Sequence, residues 1–242
     1  MKEIINKLIH PTGKEKKIYT TDEKDLVLIH YTDVTTAFGG IKTAKISGKG
    51  ICNNHISAIV FDTLTKAGIP NHFIRLENDR EMVCRRIEII PIQIIVRNRL
   101  AGTTARMLGL ENGTKIPNTV YELRYNCDQL ADPMINEHHA VALGIVTYEE
   151  IDYMLSLARR TNEALKELYH KAGIELIDFK MECGRSSDGQ IIVSDEISPD
   201  NSRLWDEKTG AVLDKDRFRH DLSDVCATYK EVQNRLSAIS EL

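Results

Sequence analysis

Apolar and polar residues alternate strictly between residues 177 and 184, and this pattern predicts a β-strand with two unlike faces. One face is apolar and carries Ile177, Phe179, Met181 and Cys183. The other face is charged and carries Asp178, Lys180 and Glu182. The strand therefore presents three charged side chains on one side, which makes it the first candidate for a functional surface.

A hairpin is predicted directly after this strand. The pair Asp188-Gly189 is a turn signal, and Ile191-Ile192-Val193 predicts the returning strand. With a two-residue turn, Glu182 lies opposite Asp195, and like charges so opposed are destabilising. A Mg²⁺ ion, which binds carboxylate oxygens and usually shares them with phosphates, would relieve the repulsion. The alternation alone leaves a second interpretation open, a solvated strand face with two splayed carboxylates.

Two long helices are predicted in the second half of the chain. Thr147-x-x-Glu150 is a capping box that begins a helix with apolar residues at three- and four-residue spacing, ended by Gly173. A similar stripe from Phe218 to Ile239 predicts a terminal helix that packs on the domain or on a partner subunit.

The first half of the chain is richer in strand patterns. We predict a strand over 26–31, a hairpin over 75–86, and a buried strand over 87–96 with a bend at Pro91. Residues 33–40 and 107–146 are predicted to be mainly loop. The last of these strands is the expected junction between two lobes, a β-rich lobe of residues 1–90 and a larger α+β lobe of residues 91–242.

Two basic segments could bind anions. In Gly13-Lys14-Glu15-Lys16 a glycine turn would let backbone amides approach a phosphate while lysines add positive charge, although a solvated turn beside an edge strand fits the same residues. In the segment 97–106, arginines follow a buried strand and could bind a ligand carboxylate or phosphate. Salt bridges at the strand end are the alternative there.

Composition narrows the function classes. The 242 residues are 42% hydrophobic and 28% charged with a formal net charge of −4, so we expect no nucleic-acid partner. We expect a cytoplasmic protein with no membrane partner, because the sequence shows neither a signal-peptide pattern nor an apolar run of membrane-spanning length. Its five cysteines are scattered without a Cys-x-x-Cys pair, which predicts reduced thiols.

The segments 195–206 and 213–219 closely resemble the signature of the SAICAR synthetase (phosphoribosylaminoimidazole-succinocarboxamide synthase) family. Four other segments resemble further motifs of that family in the same order, and together they span nearly the whole chain. These segments are Gly13 to Tyr19, Lys49-Gly50 with Asn53-Asn54, Val96 to Gly102, and Asp178 to Gly184.

The resemblance implies an enzyme that joins the carboxylate of carboxyaminoimidazole ribonucleotide to the amine of L-aspartate in purine biosynthesis. It implies ATP and Mg²⁺ as cofactors, release of ADP and phosphate, and a homo-oligomer. It also implies an ATP cleft between the two lobes, in an arrangement similar to protein kinases and ATP-grasp enzymes.

The resemblance also implies roles for individual residues. Lys180 and Asp178 would be catalytic, and Glu182 and Asp195 would bind Mg²⁺. The nucleotide would be held by Gly13, Lys14, Lys16, Arg85 and Ile87. The ribonucleotide would be bound by Arg97, Thr103, Asp200 and Arg203, and the aspartate amine by Asp132. Glu15 departs from the family pattern, which usually has alanine there, and so adds a negative charge beside the phosphates.

Two other functions use some of the same residues. A small-molecule kinase would also need a phosphate loop and a carboxylate pair, but not the anion-binding chemistry of 97–103 and 200–203. A non-catalytic nucleotide-binding protein would have no evident need for Lys180 between two carboxylates. These comparisons favour the ligase.

Overall fold

The computed structural model describes residues 8–10 and 15–240. Gly13 and Lys14 lie outside these ranges, so their predicted contribution to a phosphate loop stays a prediction. No helix among the described residues is long enough and apolar enough to cross a membrane.

Within the described residues, seven strands precede the second sheet. Five of them make an antiparallel sheet in the order β1-β2-β3-β7-β6, and β4 pairs with β5. The predicted strand over 26–31 and the predicted hairpin over 75–86 are confirmed, whereas part of the predicted loop over 33–40 is the strand β4. The strands are β1 (Leu8–His10), β2 (Lys16–Thr20), β3 (Leu26–Tyr31), β4 (Val34–Ala37), β5 (Lys42–Lys45), β6 (Phe73–Asn78) and β7 (Glu81–Arg85).

A second sheet contains the charged strand at its centre. Its order is β10-β9-β8-β11-β12, with β13 also paired to β11. β9 lies where we predicted mainly loop, and it pairs with β8 along most of its length. The strands are β8 (Ile87–Leu100), β9 (Thr114–Tyr125), β10 (Met134–Ile135), β11 (Ile174–Ser186), β12 (Ile191–Ser194) and β13 (Ser202–Asp206).

Six α-helices accompany the sheets within the described residues. They are α1 (Lys49–Lys66), α2 (Gly102–Met107), α3 (Glu137–Ala142), α4 (Tyr148–Lys171), α5 (Asp216–Arg219) and α6 (Val225–Ile239). The capping box of α4 is confirmed, because the Thr147 side chain accepts from the Glu150 amide and the Glu150 carboxylate accepts from the Thr147 amide. The predicted terminal helix is interrupted, since Asp221 and Asp224 adopt positive φ angles between α5 and α6.

The main hydrophobic core lies between the second sheet and helices α1, α4 and α6. The four apolar residues predicted on one face of β11 are each fully buried there: Ile177, Phe179, Met181 and Cys183. A smaller apolar cluster joins β3 and β7 to Ala58 of α1. The buried side chains of α6 pack toward α1 and α4, so its apolar stripe lies against its own domain.

The predicted register of the β11–β12 hairpin is wrong by one residue. Glu182 pairs with Ser194 instead of Asp195. The loop has three residues, because the Ser186 amide donates to the Gln190 carbonyl at 3.0 Å and Gly189 closes the turn with φ +82°. Three-residue hairpin loops commonly end in such a left-handed residue, for which glycine is suited.

Candidate active site

A cavity of about 740 Å³ lies against the charged face of β11. Its walls come from the start of β2, the loop after β4, strands β8, β9 and β11, and the segments on either side of β13. Nine of the residues predicted for a site line this cavity: Lys16, Arg97, Asp132, Asp178, Lys180, Glu182, Asp195, Asp200 and Arg203.

Three other predicted residues lie apart from the residues that line this cavity. Thr103 is exposed on α2, where its hydroxyl accepts from Arg106 at 3.2 Å. Arg85 ends β7 and Ile87 begins β8, so both lie at the passage from the first sheet to the second. Their predicted contact with adenine would therefore lie outside the cavity that holds the charged residues.

Lys180 lies between two carboxylates on one wall of the cavity. Its ammonium nitrogen is 2.8 Å from Oε1 of Glu182 and 3.9 Å from Oδ2 of Asp195. Burial alone would lower the pKa of Lys180, but the two carboxylates outweigh burial and raise it. The lysine is therefore held protonated, as a fixed positive charge.

Asp195 reaches this wall because the chain turns sharply where β12 ends. In a continued strand the residue after Ser194 would point to the opposite face. Asp195 instead adopts φ +66°, in the left-handed region, and its carboxylate pairs with Lys16 as well as facing Lys180. The two carboxylates predicted to share a cation thus line the same cavity despite the different register.

Lys16 connects the first sheet to the segment after β12. Its ammonium contacts Asp195 and lies 3.0 Å from Oε1 of Glu196. Burial would lower the pKa of Lys16, yet the two carboxylates raise it well above its usual value. Burial would likewise raise the pKa of Asp195, but Lys16 and Lys180 hold it at about 2. Asp195 is therefore ionised at neutral pH.

The carboxylates of Glu182 and Asp195 fit a magnesium ion by their chemistry. Both supply hard oxygen donors at a cavity wall, the donors that Mg²⁺ prefers. Burial raises the pKa of Glu182; the Lys180 ammonium opposes this effect, and the negative charge of Asp195 adds to it. A divalent cation would relieve this repulsion, so the observed residues are compatible with the implied metal.

Arginines and carboxylates alternate along the adjoining wall. Arg97 and Asp178 are cross-strand neighbours in the β8–β11 ladder, and Arg97 Nη1 donates to Asp178 Oδ2 at 2.8 Å. Arg203 Nη1 donates to the same oxygen at 2.9 Å. Arg97 also makes a bidentate pair with Glu122, and Arg203 pairs with Asp216 at 2.8 Å. Both guanidiniums are thus held in fixed orientations beside the cavity.

Asp200 is anchored by the protein itself. One carboxylate oxygen accepts from Lys49 and from Asn53, and the other accepts from the Tyr229 hydroxyl at 2.8 Å. Burial would raise the pKa of Asp200, but Lys49 and Lys215 lower it far below its usual range. Asp200 therefore ties the cavity wall to α1 and α6 in addition to lining the cavity.

Asp132 also lines the cavity, in the turn between β9 and β10. Its φ is +47°, and its carboxylate accepts from the Cys127 amide at 2.8 Å. The Asp132 carbonyl accepts from Arg124 at 3.2 Å, which fastens this turn to β9.

Several residues that line the cavity or orient its side chains were not predicted as site residues from the sequence. Lys215 and Arg219 lie in the segment 213–219, whose resemblance to a family motif was the available signal. Glu122 orients Arg97 but lies on β9, the strand that local sequence did not predict. Glu15 was noted only for its charge, and the structure shows its carboxylate bonded to Lys215 at 2.7 Å.

Known proteins resemble this chain over nearly its whole length. The family model for SAICAR synthetase matches residues 9–236. A phosphoribosylaminoimidazole-succinocarboxamide synthase from Clostridium perfringens (strain SM101 / Type A) is 50% identical over 224 residues, covering 93% of this chain and 95% of the relative.

Solved structures agree with the sequence comparison. The phosphoribosylaminoimidazole-succinocarboxamide synthase of Ehrlichia chaffeensis is 39% identical with a TM-score of 0.94, covering 97% of this chain and 100% of that one. A SAICAR synthetase in complex with ADP is 38% identical with a TM-score of 0.92, covering 98% and 100%. The mixed α/β fold and the motif resemblance are therefore confirmed, and the chain belongs to the SAICAR synthetase family.

Proposed function

We propose that this chain is an ATP-dependent ligase that joins carboxyaminoimidazole ribonucleotide to L-aspartate in purine biosynthesis, giving SAICAR, ADP and phosphate. The observation that carries the proposal is the pairing of two unlike walls in one cavity. One wall holds Lys180 between Glu182 and Asp195, and the other holds Arg97 and Arg203. The first suits phosphoryl transfer, and the second suits an anionic acceptor.

The chemistry of amide formation explains why ATP is needed. A carboxylate is a poor acyl donor, so a carboxylate oxygen of the ribonucleotide first attacks the γ-phosphorus of ATP, and ADP leaves. The aspartate amine then attacks the carbonyl carbon of the acyl phosphate, loses a proton, and phosphate leaves. Both steps depend on alignment and on neutralised charge more than on covalent participation by the protein.

Lys180 and Asp178 are the catalytic residues in this proposal. Lys180 is held protonated beside two carboxylates, so its charge is available to the phosphoryl group in transfer. Asp178 lies two residues earlier on the same strand face and accepts from both Arg97 and Arg203. It thereby restrains both guanidiniums beside the cavity.

The nucleotide would bind along the start of β2. Lys16 would contact the ATP phosphates together with Gly13 and Lys14, and the backbone around Arg85 and Ile87 would contact adenine. This placement makes residues 1–90 and 91–242 the two lobes of an ATP cleft. The solved relative in complex with ADP supports nucleotide use by the family.

Magnesium would be held by Glu182 and Asp195. When bound, the ion supplies positive charge that offsets the charge of the ATP phosphates. Lys16 pairs with Asp195, and the Lys180 ammonium lies 3.9 Å from it. The protein therefore places two positive charges of its own beside the proposed metal ligand.

The ribonucleotide would occupy the arginine-lined wall. Arg97, Arg203 and, from outside the cavity lining, Thr103 would bind its phosphate or carboxylate, with Asp200 at its polar base or ribose groups. Asp132, which also lines the cavity, would accept from the aspartate amine. We also propose that the enzyme is cytoplasmic and forms a homo-oligomer.

The proposal has a direct test. Purified protein given the ribonucleotide, L-aspartate and MgATP should release ADP only when all three are present, and chromatography should show the succinocarboxamide product in equal amount. Omission of each component in turn is the control. ADP release that is indifferent to L-aspartate would contradict the ligase and favour a kinase.

A further inference from the structure

The Glu15 side chain bonds to two distant parts of the chain, β4 and the segment before α5. Its Oε1 accepts from the Thr36 amide at 2.7 Å, from the Thr36 hydroxyl at 3.1 Å and from Lys215 Nζ at 2.7 Å. Glu15 and Lys215 are 200 positions apart in sequence, and both line the cavity.

The Glu15 carboxylate is restrained by hydrogen bonds from the amide and the hydroxyl of Thr36. Thr36 belongs to β4, which pairs with β5. The Glu15 carbonyl accepts from the Thr32 amide at 2.9 Å and from the Thr32 hydroxyl at 3.1 Å. A carboxylate restrained in this way can restrain the flexible side chain of a lysine that donates to it.

Lys215 is a cavity cation that pairs with Glu15. Its side chain is 8% exposed, and its amide donates to the Pro199 carbonyl at 3.0 Å. The carboxylates of Glu15, Glu196 and Asp200 have oxygens within 4.8 Å of one another. Without the charge of Glu15, the Lys215 ammonium would turn toward the other carboxylates of this group and away from its present place on the wall.

We propose that Glu15 is a positioning residue for the ribonucleotide, although its place in sequence is between two lysines assigned to ATP. It holds the Lys215 ammonium on the cavity wall so that the remaining N–H groups can donate to an anionic group of the ribonucleotide. This inference rests on the proposed function. Glu15 would thus differ in role from Lys14 and Lys16, because loss of either lysine is expected to weaken the binding of ATP.

The test is the Glu15→Gln variant, which removes the charge but keeps an oxygen that can accept from Thr36. We expect the KM for the ribonucleotide to rise about tenfold, as for loss of one charge-assisted hydrogen bond, with the KM for ATP changed less than twofold. In a Lys215→Met background, Glu15→Gln should add less than a twofold further change, because the lysine that it positions is gone. Glu23→Gln, an exposed glutamate near β2, is the matched control.

Each alternative outcome contradicts the inference in a recognisable way. A rise in the KM for ATP alone would make Glu15 part of the phosphate loop, and a fall in the KM for the ribonucleotide would mean that Glu15 competes with substrate for Lys215. Full additivity with Lys215→Met would overturn the link between the two residues. If the wild-type protein shows no aspartate-dependent turnover, the proposed function fails. Calorimetric titration with the ribonucleotide then tests the inference separately. Unchanged affinity in Glu15→Gln, or no binding to the wild-type protein, would overturn it.

Discussion

The ammonium nitrogen of Lys180 lies 2.8 Å from Oε1 of Glu182, two residues further along the same face of β11. The two side chains emerge from one strand face because side chains alternate along a strand. Asp195 approaches the same ammonium from the segment after β12, at 3.9 Å. The positive charge is therefore fixed where two negative charges converge.

Replacement of Lys180 by methionine should abolish most of the activity. Methionine keeps the length of the apolar stem but leaves the two carboxylates without the positive charge between them. We expect kcat/KM to fall at least about 100-fold, as for loss of an electrostatic group at a reacting centre. ADP release measured with saturating L-aspartate checks this. Lys171→Met, at an exposed lysine paired with Glu167, is the control, and more than one tenth of wild-type activity in Lys180→Met would contradict the role.

Replacement of Glu182 by glutamine should change the magnesium requirement. The amide keeps the shape of the side chain but binds a hard cation less strongly than a carboxylate does. We expect the Mg²⁺ concentration for half-maximal rate to rise by roughly tenfold or more, with an unchanged circular dichroism spectrum. Glu163→Gln, at an exposed helical glutamate, should leave the magnesium titration unchanged. An identical titration for Glu182→Gln would remove this residue from the proposed metal site.

Replacement of Gly102 by alanine should weaken binding of the ribonucleotide, because it displaces the Arg203 guanidinium. A Cβ at this position would overlap Nη2 of Arg203, so the guanidinium would have to move away from Asp178 and Asp216. We expect the KM for the ribonucleotide to rise by about tenfold. Steady-state kinetics with the ribonucleotide as the varied substrate measures this change.

Gly109→Ala is the matched control for that experiment. Gly109 has φ +67° and Gly102 has φ +61°, so both alanines would strain the backbone similarly, by about 1 kcal/mol. A Cβ at Gly109 meets no described atom within 4 Å. Equal KM values in the two variants would show that strain alone, and not Arg203, explains the effect.

The buried His72 should make stability depend on pH. The ring is 2% exposed, and burial lowers its pKa to about 4, although Asp195 opposes that shift. An unfolded histidine titrates near pH 6.5, so between pH 6.5 and 4 the unfolded chain binds the additional proton. Titration of His72 therefore does not reduce the free energy of unfolding above pH 6.5. Below pH 6.5 the free energy of unfolding falls as the pH falls towards 4.

Urea unfolding at pH 7.5 and 5.5 measures the effect. At pH 5.5 this histidine should lower the free energy of unfolding by about 1.4 kcal/mol relative to pH 7.5. In His72→Gln the difference between the two pH values should shrink by that amount, whatever the absolute stability of the variant. His138→Gln, at an exposed histidine, should retain the wild-type difference. An undiminished pH difference in His72→Gln would assign the acid sensitivity to other groups.

Local patterns predicted those elements whose residues carry a short-range signal. The alternation along β11 was correct because its apolar face packs in the core while its charged face lines the cavity. The capping box of α4 was correct because the free amides at a helix start are bonded by side chains only a few residues away. β9 carries no such signal. Its residues are mostly half-exposed and include Pro117, and its strand geometry depends on pairing with β8.

The sequence by itself determined the family, the reaction and most of the charged residues of the cavity, because those residues lie in short motifs that keep their order along the chain. Only the tertiary structure decided how they meet. A three-residue loop closed by Gly189 sets Glu182 against Ser194, the left-handed backbone of Asp195 returns its carboxylate to the cavity, and Glu15 bonds to Lys215 across 200 positions. Register, turn geometry and long-range charge pairing depend on contacts between distant segments, which no local pattern records.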